Sequence, residues 1–228
     1  MFKNLRQIWN PKNKDIKKRI GYTLFALLIF AVGNTITVPG MKAVVQDLGF
    51  LEYLNAISGG GLKRFTIFGL GVMPYISASI VVSILQMDMI PYFSDLKNDG
   101  AKGRQKLNQI TRYLGIIIAF FQGFAMVYAF GGKNLSAMEI MKSSIVMTAG
   151  TSFLLWLGDR ITQKGLGNGI SLIIMAGIIS TVPKMFIDAF TSLVTDNSSL
   201  LIGIVSYAVF VIIYLLLVVA IVFVEESE

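Results

Sequence analysis

Residues 67–80 read IFGLGVMPYISASI, an apolar run broken in its middle by Gly69, Gly71 and Pro74 and followed by Ser77 and Ser79. Proline removes a backbone N–H donor and clashes with the preceding turn. Glycine loosens the chain, and hydrocarbon offers no water to the groups that such a break sets free. Two readings fit. In the first, the chain from about residue 55 folds back as a short re-entrant segment, and a new helix starts near Met73. Pro74 then lies in the first turn, where its missing N–H has no helical partner in any case. In the second, Pro74 kinks one continuous span packed through Gly71, Ser77, Ala78 and Ser79.

The rest of the chain places this run in a membrane. Hydrophobic residues make up 54% of the 228 and charged residues only 14%, with a mean hydropathy of +0.69; soluble domains lie well below this. Cysteine and histidine are both absent. That excludes a disulfide frame, a Cys/His zinc site and Ser-His or Cys-His nucleophile pairs, and with them the commonest catalytic and metal-site chemistries. The reading is a non-enzyme with no cofactor and no metal.

Six apolar runs are candidate spans: Ile20–Val38, Ile67–Ile90, Tyr113–Phe130, Ile145–Leu157, Gly169–Val182 and Leu200–Val224. Lys and Arg alternate in density between the loops, with seven before the first span, five between the second and third (Lys97 to Arg112) and two between the fourth and fifth (Arg160, Lys164). By the positive-inside rule those loops, the N-terminus and the acidic end Glu225-Glu226-Ser227-Glu228 are cytoplasmic. The net charge of +7 therefore reports topology and contact with anionic lipids, with no specific nucleic-acid recognition. Before the first span, Phe2, Leu5, Ile8 and Trp9 recur at helical spacing among basic residues, the pattern of an amphipathic surface helix.

A second glycine-rich stretch, KGLGNGISLIIMAGI at Lys164–Ile178, precedes the fifth span. Neither a strand before it nor a Gly-Lys-Ser/Thr after it supports a phosphate loop, and a helix start with Asn168 nearby is the simpler reading. Two glycine-broken membrane segments in one chain point to a transport pathway.

GVMPYISASI at Gly71–Ile80 and KGLGNGISLIIMAGI resemble the signature segments of the SecY family, the protein-conducting channels of the Sec translocon. LNAISGGGLKRFTIFGLG, VPG at Val38–Gly40, WLGDRIT at Trp156–Thr162 and VFVEESE extend the resemblance along the chain. Many members carry an arginine where this chain has Ala31, and a proline where it has Thr37. The family has ten transmembrane helices in two inversely related halves.

The resemblance implies an all-α integral membrane protein of six transmembrane helices plus a short re-entrant plug, the first half of the channel and its sixth helix. The implied divisions are 1–19 (cytoplasmic amphipathic segment), 20–182 (five-helix half, plug at about 55–70) and 183–228 (external loop and sixth helix). It implies that Val72, Ile76, Ile170 and Ile174 give this half's share of an apolar pore ring, with Asn168 beside it. The plug would include Asn55, Ile57, Ser58, Gly59, Gly60, Gly61, Leu62 and Phe65; the hinge, Gly69, Gly71 and Pro74; the lateral gate, Ser77, Ile80 and Ser83.

The implied activity is passage of unfolded secretory polypeptides across, and of membrane proteins laterally into, a bacterial cytoplasmic membrane. Implied partners are SecE-like and SecG-like subunits, the SecA motor ATPase, the ribosome and signal sequences. On residue physics alone the four ring positions also fit ordinary helix packing. A secondary transporter of a small solute is the competing function, because such proteins also use broken helices.

Overall fold

Glycine and proline mark where helices start and stop in this chain, and apolar stretches fill the intervals. The computed structural model describes residues 14–41, 55–87, 90–130, 135–195 and 200–226. The expected surface helix at Phe2–Trp9 lies outside them, as do Asp88 and Lys133. The helices are α1 (Lys14–Gly33), α2 (Met73–Leu85), α3 (Pro91–Asn98), α4 (Gly100–Phe130), α5 (Ala137–Lys164), α6 (Gly169–Phe190) and α7 (Leu200–Glu226), with a π-helical turn at Thr191–Thr195. Among the described residues the only extended pairing is an isolated antiparallel bridge between Thr37 and Thr66.

Among the described residues, four helical stretches are long and apolar enough to cross a membrane: Gly100–Phe130, Ala137–Lys164, Gly169–Thr195 and Leu201–Val224. At 13 residues, α2 rises only about 20 Å. The first apolar run is helical only to Gly33; Asn34 to Met41 continue as turn and extended chain. In the other direction α4 starts well before Tyr113, and Arg112 on its polar end pairs with Asp159 of α5.

The chain divides into two units, one up to Ser180 and one from Thr181 onward. In the first, α4 packs against α2, α3 and α5, and α1 packs against α5. Glycines make these approaches close: Gly115 of α4 faces the Tyr75 backbone of α2, and a Cβ on Gly150 of α5 would overlap the Ile67 carbonyl. One apolar cluster joins Val38, Leu62, Phe65, Leu70, Ala119, Val127 and Met147. A second joins Ala26, Phe30, Phe68, Val72, Leu154, Leu157, Ile161 and Ile173.

Met147 is 0% exposed and its Cε stands 3.1 Å from where a Cβ on Gly69 would be. Met147→Ala is therefore expected to cost about 2–5 kcal/mol by opening a cavity, read as a lower unfolding midpoint of the protein in detergent micelles. In the second unit, Phe186 meets Phe210 and Tyr214 edge-on, and Phe190 meets Tyr207 likewise. These aromatic contacts tie the last part of α6 to α7.

Candidate pore and the segment beside it

Residues 55–72 form one helical turn and then a series of tight turns up to Val72. This excludes a continuous kinked helix and agrees with a new helix starting near Met73. Helix α2 begins at Met73, with Pro74 in its first turn and Val72 as its N-cap residue. Gly59, Gly60 and Gly71 have φ of 70°, 75° and 58°, in the left-handed region that glycine enters without steric cost. Phe65 also has positive φ, at 47°, and is held there by full burial.

The segment's polar groups find partners in protein. Gly60 N donates to Asn55 O (2.8 Å), Thr66 N to Gly61 O (3.0 Å), Gly69 N to Thr66 O (2.8 Å) and Gly71 N to Phe68 O (2.8 Å). Ser58 Oγ donates to Asn55 O at 3.0 Å and accepts from Leu62 N at 3.2 Å, while Asn55 Oδ1 accepts from Lys63 N at 3.0 Å. From the strand-like stretch after α1, Val38 N donates to Phe65 O (2.7 Å), and Ile67 N donates to Ile36 O (2.9 Å). Such pairing lets irregular backbone exist at membrane depth.

Further contacts fasten the segment to its surroundings. Asn34, just past α1, donates through Nδ2 to Ser58 O (3.0 Å) and Gly59 O (2.9 Å), and its Oδ1 accepts from Thr66 Oγ1 (3.0 Å). Gly59 N lies 3.3 Å from the Cβ position of Gly177 in α6, and the Ile57 carbonyl lies closer still. Phe68 stacks between Phe30 of α1 (6.3 Å, 7°) and Phe153 of α5 (5.7 Å, 5°). Phe153 in turn packs on Trp156 at 5.6 Å, and the Arg160 guanidinium lies over that indole at 5.5 Å.

Asn34 was not among the residues expected to matter. Its signal was a lone amide inside the apolar run 20–38, since a polar group at that depth needs partners.

The four expected ring residues all belong to or pack against one apolar cluster. Val72, 3% exposed, belongs to the second apolar cluster, and half-buried Ile76, Ile170 and Ile174 pack against it. Asn168 is exposed, and its Oδ1 caps α6 by accepting from Ile170 N (3.0 Å) and Ser171 N (3.3 Å). The preceding glycine-rich loop is tied by hydroxyls, with Leu166 N donating to Thr23 Oγ1 (3.1 Å) and Gly169 N to Thr162 Oγ1 (2.8 Å). Its amides serve the fold itself. Along α2, Ser77, Ile80 and Ser83 share one face at three-residue spacing; Ser77 is half-buried, Ile80 is 55% exposed and Ser83 is exposed. Ala78 and Val82 occupy the buried side.

Known proteins resemble this chain in sequence and fold. Residues 66–228 match the SecY family. Protein translocase subunit SecY of Staphylococcus aureus (strain NCTC 8325 / PS 47) is 46% identical, over 77% of this chain and 44% of its own length. Protein translocase subunit SecY 1 of Lactobacillus kefiranofaciens subsp. kefiranofaciens is 42% identical, over 87% of this chain and 48% of its own. The chain thus spans less than half the length of these relatives.

Among solved structures, Sec61 in the canine ribosome-channel complex from the endoplasmic reticulum superposes with a TM-score of 0.69 at 21% identity, covering 92% of this chain and 49% of that one. A structure of a protein-conducting channel gives the same values. A SecY structure concerned with its plug domain gives 0.56 at 22% identity, covering 76% of this chain and 38% of that one. These likenesses show the fold, and the match over residues 66–228 shows the lineage: this chain belongs to the SecY family.

Proposed function

We propose that this chain is the N-terminal part of a protein-conducting channel, passing unfolded secretory polypeptides across a bacterial cytoplasmic membrane and membrane proteins laterally into it. The observation that carries the proposal is the convergence of Val72, Ile76, Ile170 and Ile174 on one apolar cluster, directly after a segment that folds in turns among the helices. A collar of aliphatic side chains excludes water and ions by dewetting and forms few directional bonds to a passing chain. In this reading these four residues are half of the pore ring, residues 55–70 the plug, and Gly69, Gly71 and Pro74 its hinge. The face of Ser77, Ile80 and Ser83 belongs to the lateral gate.

The full reading has six membrane crossings, α1 and α2 being completed by neighbouring protein, with 20–182 as one repeat half. Both the N-terminus and the end near Glu228 face the cytoplasm. The absent half would close the ring. Partners of matching kind are SecE-like and SecG-like subunits, SecA, the ribosome, signal sequences and anionic lipids at the basic cytoplasmic ends. The relatives' name, translocase subunit, supports partner subunits in general, and the ribosome-bound fold neighbour supports the ribosome.

Two measurements test it. Single cysteines in this cysteine-free chain are expected to label only from the cytoplasm at Lys102 and at exposed Lys164, and only from outside at Lys133; the reverse pattern refutes the topology. In proteoliposomes the full-length channel is expected to import a signal-bearing precursor and to pass ions only while engaged. Coupled uptake of a small solute with no precursor import would overturn the channel.

A further inference from the structure

We infer that Asn34 is a positioning residue, a latch that holds residues 55–66 in their docked arrangement through its carboxamide. The inference rests on the channel reading only for what docking accomplishes. It stands on the geometry for the latch itself.

Asn34 is 6% exposed, and the whole hydrogen-bonding capacity of its –NH2 is committed to the segment. The two N–H bonds go to Ser58 O and Gly59 O, and the oxygen takes the Thr66 hydroxyl. Only one orientation of the amide works, because the flipped form would set Oδ1 against two carbonyls. The bonds bridge 24, 25 and 32 residues of sequence, so one side chain ties both limbs of the turn to the end of α1.

A cavity of about 200 Å³ adjoins this latch, lined by Phe30, Ala31, Asn34, Gly59, Arg64 and Ser180. Arg64 moves with the segment itself, donating to Gly60 O (3.2 Å) and Gly59 O (3.1 Å). It rigidifies the turn without fastening it to a helix. The cavity is large enough for several waters, so the carbonyls released by Asn34 can be hydrated on opening. A latch of this kind is firm when closed and releases reversibly. Gly61 and Gly59 must lack side chains for it to form: a Cβ on Gly61 would overlap the Asn34 carboxamide, and one on Gly59 would stand 2.7 Å from Nδ2.

The test uses the full-length channel in nanodiscs and amide hydrogen exchange of peptides covering 55–66, with peptides from α5 as an internal reference. Asn34→Leu keeps the branched shape and removes every bond. Thr66→Val removes only the hydroxyl, and Thr66→Ser restores it. Expected is exchange in 55–66 faster by about tenfold or more for Asn34→Leu, a few-fold for Thr66→Val and unchanged for Thr66→Ser, with α5 unaffected. Equal acceleration in α5, or no acceleration in either Asn34→Leu or Thr66→Val, overturns the latch; should Asn34→Leu fail to fold, Asn34→Ala takes its place, because the Thr66 hydroxyl also lies 3.3 Å from Gly61 O and its loss alone does not isolate the Asn34 bonds. Resting ion conductance of the same variants separates the two ideas. Exchange that follows the expected order with conductance unchanged supports the latch and refutes the segment as a seal.

Discussion

Gly177→Val is expected to raise the resting ion conductance of the full-length channel by about 5- to 150-fold. The argument begins with what a side chain at 177 would meet: the Ile57 carbonyl and, at 3.3 Å, the Gly59 amide nitrogen. Both are backbone, and no flexible side-chain end can move aside. Overpacking of this kind costs about 1–3 kcal/mol, and in the docked state alone it shifts a docked–undocked equilibrium by the factor given. Planar-bilayer recording checks it, with Ile178→Val on the exposed side of the same helix as the neutral comparison. A folded Gly177→Val protein with baseline conductance would mean that the segment seals nothing.

The second large effect is expected at the ring. Ile76→Asn combined with Ile174→Asn places two amides against the second apolar cluster, one from α2 and one from α6, and an unpaired buried amide costs about 1–3 kcal/mol. Water that enters to satisfy these groups removes the dewetted barrier. Peptide-free conductance is expected to rise by about tenfold or more while precursor import persists. Ile173, one residue away and 2% exposed, gives the contrast: Ile173→Ala should lower thermal stability and leave conductance unchanged. Conductance that follows Ile173 and ignores Ile76 and Ile174 would assign the four residues to packing.

Legibility in the sequence followed the range of the forces involved. The start of α2 could be read because Pro74 and Gly71 obey local backbone rules that hold in any surroundings. Helix α7 could be read because its apolar residues run all round it, so that length and hydropathy alone identify it. Helix limits set by neighbours could not. The expected run ending at Val182 continues as helix to Phe190 with Pro183 inside. Proline forfeits one backbone bond, whereas a helix end would expose four carbonyls to hydrocarbon.

The polar beginning of α4 reads as loop until Asp159 of α5 is seen beside Arg112. At the site, the i, i+4 spacing of Val72/Ile76 and of Ile170/Ile174 placed each pair on one helix face. That both pairs join one apolar cluster is a tertiary fact. The same holds for Asn34, whose partners lie 24 to 32 residues away and whose own neighbours in sequence give no hint of them.

The ring stack running from Phe30 through Phe68 and Phe153 to Trp156 has an optical consequence. The chain has only two tryptophans, and Trp9→Phe leaves the indole of Trp156 as its sole long-wavelength fluorophore. That indole leans on Phe153, which stacks on the ring of Phe68 at the root of the turn-rich segment, and it lies under the Arg160 guanidinium. Withdrawal of Phe68 would free Phe153, change the contacts of the indole and shift its emission, so this protein carries an unlabelled spectroscopic gauge of the movement on which its gating would depend.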